Sequence, residues 1–252
     1  MSLGCSEQKQ EYWSCAPITK RWLLRESIEE LTQFTLNSHV AGTLGFDLGI
    51  PEHICTTLLE SSEYRDVAMF LYDCISGGVL SDSCDDHWVK LIEMEGDSLL
   101  NLYESVNYRL HVQEPYFTLL KDGLKTIEGR CATARYLRIR SGELILFNNC
   151  LLFEVQDVRR YESFSEMLKV ENIERVLPGV IDVAEGAGVY RKFYSEEKER
   201  ASGVLAIQVT MSAAQPYALL ARITSKLGYK GMLMLMHRKR ECEDHSFHQK
   251  TE

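Results

Sequence analysis

Residues 115–130 read PYFTLLKDGLKTIEGR, and the fold turns on how the last nine are taken. The first part describes a short helix, with proline in its first turn and glycine at its end. From Lys125 the period changes to two. In a strand starting there, Thr126, Glu128 and Arg130 share one face while Lys125, Ile127 and Gly129 take the other. A wholly polar face has a plain reading, an edge strand turned to water, and a sharper one, the wall of a site.

The neighbouring sequence bears on that choice. YLRIR, 136–140, reads as the next strand with Tyr136, Arg138 and Arg140 on one side, so that four arginines (130, 135, 138 and 140) fall within eleven residues. YRLHVQ (108–113), ELILF (143–147), LLFEVQDVRRY (151–161) and GVLAIQVT (203–210) continue the strand series, and NNC (148–150) makes a tight connection. SFSEMLKVENIERVL (163–177) and VYRKFYSEEKER (189–200) have helical spacing. Short strands interrupted by small helices predict a β-barrel with helical decorations.

Upstream, from about Thr19 to Asn107, the period is helical. Trp22, Leu23, Ile28, Leu31 and Phe34 form one stripe, Pro51 opens a second helix, and Val67, Phe70, Leu71 and Cys74 form a third stripe ended by Gly77 and Gly78. DDHWVKLIEMEGDSLLNLYESVN adds amphipathic turns with a break expected near Gly96. The reading is α+β: an acidic helical domain over 1–106, a barrel over 107–236, and a disordered polar tail over 237–252.

Charge divides the chain in the same way. Residues 1–106 hold 6 Lys/Arg against 18 Asp/Glu, residues 107–236 hold 18 against 15, and the last sixteen hold 4 of each. A nucleic-acid partner therefore belongs to the second region, and a protein partner to the acidic first. At 252 residues and 45% hydrophobic content the chain can bury a core, and no run approaches the ~18 apolar residues of a membrane span. Without a secretory start, it is expected in the cytosol or nucleus. Eight cysteines (5, 15, 55, 74, 84, 131, 150 and 242) form no CxxC pair, so neither a zinc ribbon nor a thioredoxin-like motif is written here. Cys242, His245 and His248 lie in the polar tail and lack a fourth ligand, so no metal or cofactor is expected.

The segment resembles the ASCH domains, relatives of the PUA fold named for homology to a transcriptional coactivator. The resemblance rests on PYFTLLKDG followed by Gly123, Lys125, Thr126, Glu128 and Arg130 in a GxKTxExR pattern, then on GELILFNN, FEVQDVRRYESFSEML and GVLAIQVT. It covers about 125 residues and implies a cleft between barrel and helices, walled by the Lys-Thr-Glu-Arg segment. It further implies binding of RNA or other nucleic acid, in transcription coactivation or RNA metabolism. Some bacterial members resemble amidohydrolases acting on acetylated cytidine, with a lysine, a threonine three residues later and a glutamate beyond the next helix. Lys125 and Glu171 match that set, but Glu128 occupies the place of the threonine. Thr126 does not replace it, since adjacent strand residues face opposite ways and a nucleophile needs its base within hydrogen-bond reach.

Three readings follow. The favoured one is an RNA-binding or nucleotide-binding module in which Lys125, Thr126, Glu128 and Arg130 line the site, Arg138 and Arg140 contact phosphate, and Tyr190 offers a ring on which a base stacks. Arg159, Arg160, Arg191 and Lys192 would extend the basic surface. The second is a hydrolase with Lys125 and Glu171 in acid–base roles. The third is an adaptor that uses the acidic helical half. Gly186 and Gly188 read as a loop before a helix, HRKRE at 237–241 as a weak import signal or a solvated terminus, and His111 as a core or rim histidine.

Overall fold

The computed structural model describes residues 20–76 and 86–248, without the side chains of 20, 86–89, 91, 93 and 234–248. The chain divides into two compact units, one of residues 17–105 with 214–252 and the other centred on 106–213.

The first unit is helical: α1 (Lys20–Val40), α2 (Glu52–Ser61), α3 (Tyr64–Ile75) and α4 (Asp86–Glu104). Its core is drawn from the predicted stripes, with Leu23, Ile28 and Leu31 of α1, Val67, Leu71 and Cys74 of α3, and Leu99 and Tyr103 of α4 all buried. Trp22 departs from its expected stripe and is 40% exposed, because Leu24 takes the inward position instead. Nor does α4 break at Gly96. A Cβ there would come within 2.7 Å of Ile75, so the glycine lets α3 and α4 approach closely.

The second unit holds β1 (Tyr108–Leu110), α5 (Tyr116–Lys121), β2 (Ile127–Cys131), β3 (Leu144–Phe147) and β4 (Leu151–Tyr161), then α6 (Phe164–Val170), α7 (Ile173–Val176), α8 (Val183–Arg191), α9 (Glu196–Ser202) and β5 (Val204–Met211). The strands form a curled five-stranded mixed sheet, a half-barrel, in the order β1-β3-β4-β5-β2. β1 runs parallel to β3 and every other pair is antiparallel. The NNC turn between β3 and β4 has both asparagines at positive φ, 47° and 61°, the conformation that two-residue hairpins favour. Side-chain caps from Ser163, Asn172, Asp182 and Ser195 start α6 to α9. The core between β2, β5 and these helices is built from Ile127, Phe164, Met167, Leu168, Tyr190, Val204 and Ala206.

Four expectations need correction. YLRIR is not a strand: Tyr136–Arg138 is a 3₁₀ turn, closed where the Arg140 guanidinium donates to the carbonyls of Leu137 and Ile139. Gly186 and Gly188 lie inside α8 rather than in a loop before it. The last helix, α10 (Pro216–His248), kinks at Gly228, and through Leu220, Ile223 and Leu227 it belongs to the helical unit, so the second unit ends at 213 and not at 236. The segment read as a disordered tail over 237–252 is helical as far as His248, and its last four residues lie outside the described ones. The new boundary also removes the predicted basic excess. Residues 106–213 hold 15 Lys/Arg and 15 Asp/Glu, because Arg222, Lys226 and Lys230 sit on α10. The side chains of Cys242, His245 and His248, of the HRKRE run, and of Cys5, Cys15 and Cys84 lie outside the described residues, as do Gly77 and Gly78.

Candidate functional site

The turn after α5 aims Lys125 inward. Gly123 adopts φ 73°, and the amides of Leu124 and Lys125 both donate to the Leu119 carbonyl at 3.0 Å. β2 begins only at Ile127, so Lys125 stands before the strand and is free of its alternation. Its ammonium donates to the carbonyls of Ile127 (2.7 Å) and Val176 (2.5 Å) and lies 3.1 Å from Glu128 Oε2. Glu128 and Arg130 project from one face of β2, and Arg130 Nε approaches Glu128 Oε1 at 2.8 Å without its N–H lying along the contact. Arg130 Nη2 donates to the His111 carbonyl at 2.5 Å. All five residues of β2 are buried, which overturns the reading of a strand with one face in water.

Two cations and one carboxylate, each under a tenth exposed, form this knot. Burial holds the Lys125 ammonium below the usual lysine range, although Glu128 works against the fall. Burial alone would raise the Glu128 carboxyl, but the charges of Lys125 and Arg130 outweigh it and keep the group below its ordinary value. Burial likewise opposes the charge on Arg130, where Glu128 again wins and raises the guanidinium. Perturbed ionisable groups in a cleft mark a functional site, though ion-pair networks built for structure do the same.

Around the knot lies a small cavity of about 50 Å³, lined by Lys125, Glu128 and Arg130 themselves and by His111, Tyr116, Tyr190, Phe193 and Tyr194 among others. Tyr190 lies in the last turn of α8 and Tyr194 just beyond the helix, its amide donating to the Tyr190 carbonyl, and both rings stack on Phe164, at 3.9 and 5.4 Å. One face of the buried Tyr190 ring is therefore taken by Phe164 of its own unit rather than open for a base, although the residue still lines the cavity. Its hydroxyl passes so close over Gly129 that a Cβ there would fall 2.8 Å from the ring's Cζ. Burial and then the Glu128 charge push the Tyr190 phenol well above its normal range, and burial raises Tyr194 to about 12. His111 is an exposed rim residue that burial on one side and Arg130 lower below its ordinary value.

Other predicted site residues lie elsewhere. Thr126 is turned away: its hydroxyl accepts Arg175 Nε at 2.9 Å and its amide donates to the Arg175 carbonyl at 2.9 Å. Arg138 and Arg140 are exposed and do not line the cavity. Glu171 is not set against Lys125 either. Its carboxylate takes Arg159 at 2.7 and 2.8 Å and the Tyr161 hydroxyl at 2.7 Å, so the proposed acid–base pair is not assembled. The wider basic surface is similarly absorbed, since Arg160 donates to Ser202 and Arg191 pairs with Glu199 and Glu196. A larger open depression of about 920 Å³ lies by those residues, but its Arg160, Arg191 and Arg200 are interleaved with Glu162, Glu166, Glu196 and Glu199, and nothing converges there. Tyr116 and Gln113 are among the wall residues that sequence reasoning missed. Tyr116 follows Pro115 in a short helix, where nothing local marks it as part of a site. Among the described residues, no group of three His, Cys, Asp or Glu is placed to hold a metal ion, and no helix is long and apolar enough to cross a membrane.

A family model described as the ASCH domain matches residues 110–212, which fall within the half-barrel unit. Residues 110–212 are an ASCH domain. The ASCH unit thus has a PUA-like fold, in general an RNA-binding one. Two similar solved structures are the crystal structure of hypothetical protein PH0355, 43% identical over 42% of this chain and 98% of that one (TM-score 0.41), and the solution NMR structure of protein PF0455 from Pyrococcus furiosus, 41% identical over the same shares (TM-score 0.38). No curated protein matches the chain.

Proposed function

We propose that the ASCH unit binds RNA by taking an unpaired nucleotide at the Glu128–Arg130–Tyr190 cleft, with Arg138 and Arg140 as outer contacts to phosphate. The observation that carries this reading is the buried knot in which two cations share one carboxylate. A local excess of one positive charge under tyrosine rings calls for a partner rich in oxygen acceptors, because a buried charge is costly unless matched. Base carbonyls and phosphates supply such acceptors, and unstacked bases are the part of RNA that proteins read. A unit of equal basic and acidic count does not track a long strand by charge alone, so recognition is local. The hydrolase alternative has no such support: Glu128 stands where a hydroxyl would be needed, and Glu171 is engaged by Arg159 and Tyr161. The test is an anisotropy titration of a labelled single-stranded RNA with the full chain and with Arg130→Gln. Micromolar or tighter binding that weakens at least tenfold in the folded variant is expected. Equal binding by the two would overturn the reading.

A further inference from the structure

Within the knot the three charged groups are not equally available. Lys125 is the most deeply buried, at 2% exposure, and an ammonium has three N–H donors and no acceptor. Three acceptors meet it: the carbonyls of Ile127 and Val176 and the carboxylate of Glu128. They come from the start of β2, from the end of α7 and from the middle of β2. A ligand reaching this amine would have to displace one of them and leave a buried acceptor without its donor. Arg130 is supplied differently. A guanidinium carries five N–H donors: Nη2 donates to the His111 carbonyl, the Nε edge lies on Glu128, and the Tyr194 hydroxyl is a further partner, which leaves donors over on the cavity side. The Tyr190 hydroxyl makes none of the described hydrogen bonds, and the residue lines the cavity.

We propose that Lys125 is a positioning residue that never meets the ligand. It clamps Glu128 and the start of β2 to α7. Glu128 in turn aims the Arg130 guanidinium, whose remaining donors, with the Tyr190 hydroxyl, meet the acceptor oxygens of a bound nucleotide. The ligand contact rests on the RNA-binding reading above. The clamp does not, and the experiment separates the two.

One arm uses the ligand-free protein. Arginine side-chain NMR should show the Arg130 Nε signal displaced in Lys125→Met relative to wild type, with Arg160, which donates to the Ser202 carbonyl away from the clamp, unmoved; an unmoved Arg130 signal sinks the clamp whether or not RNA binds. A second arm needs no variant. On adding a single-stranded oligouridine RNA to wild-type protein, the Arg130 signals should shift and the Lys125 ammonium signal should stay, whereas a shift of the Lys125 signal alone would show direct contact. The third arm compares affinities. Lys125→Met and Arg130→Gln should each weaken RNA binding at least tenfold, and the double variant no more than about twofold beyond the weaker single, since residues acting through one another are not additive. The salt slope should be unchanged in Lys125→Met. Losses that multiply, together with a slope lowered by about 0.7, the share of one phosphate contact on a single strand, would make Lys125 a ligand contact and overturn the proposal. Should wild type bind no RNA, the binding reading fails while the first arm still decides the clamp.

Discussion

Residues 125–130 and 135–140 look alike in sequence: each is a short polar run with two or more cations and an intervening apolar residue. In the fold they are opposites. The first is sealed, with Glu128 between Lys125 and Arg130, while the second is a solvent-facing turn whose Arg138 and Arg140 are exposed. The difference comes from the carboxylate. A glutamate three residues after a lysine and two before an arginine lets both cations be buried together, and a run of arginines without an acid cannot follow them inside.

The comparison can be broken by stability measurements, of which the largest effect belongs to the knot. Glu128→Ala leaves two buried cations without their carboxylate and should cost about 3–5 kcal/mol, the penalty for breaking a buried pair. Chemical denaturation measures it, and a loss near that of a surface change would mean the cluster is wetter than its burial implies. Gly129→Ala comes next. Its methyl meets the Tyr190 ring, and overpacking of this kind should cost about 1–3 kcal/mol, with Tyr190→Phe expected to recover part of it. At the small end, Arg138→Ala and Arg140→Ala should each change stability by roughly 0.5 kcal/mol or less, while lowering the salt slope of RNA binding by about 0.7 apiece.

Acid sharpens the same contrast. The Glu128 carboxyl is depressed in the folded protein, so the unfolded chain binds the extra proton first as pH falls. Its contribution is complete above the unfolded value of about 4.3 and is lost as pH drops below it toward the folded value. Glu128→Gln should therefore flatten the fall of stability with pH in that window, as read from urea midpoints. A variant whose stability falls as steeply as wild type would show that the carboxyl is not held low.

Much of the ASCH unit was legible because its signals are local. The proline–glycine bounded helix, the NNC hairpin and the shared face of Glu128 and Arg130 follow from turn chemistry and period two. What was not legible depended on partners distant in sequence. Nothing in KTIEGR shows that Val176 and His111, about fifty and twenty residues away, supply the carbonyls that let Lys125 and Arg130 be buried. YLRIR alternates like a strand, yet Arg140 turns back onto two carbonyls of its own loop and closes a 3₁₀ turn. Gly96 reads as a break when only local propensity is weighed, and Ile75 across the helix pair gives it another purpose. The stretch QPYALLARITSKLGYKG has helical spacing too. Its place in the chain, directly after the last strand, does not distinguish the two units, and its apolar residues Leu220, Ile223 and Leu227 are buried in the helical one.

The most direct test of the account is where RNA lies on the protein. Single-stranded RNA carrying 4-thiouridine, cross-linked by light to the full chain and mapped by mass spectrometry, should place its adducts on the cavity wall at Tyr116, Tyr190 or Phe193, with further adducts near 136–140. Adducts confined to 17–105 and 214–248, or to the depression by Arg160 and Arg200, would contradict it.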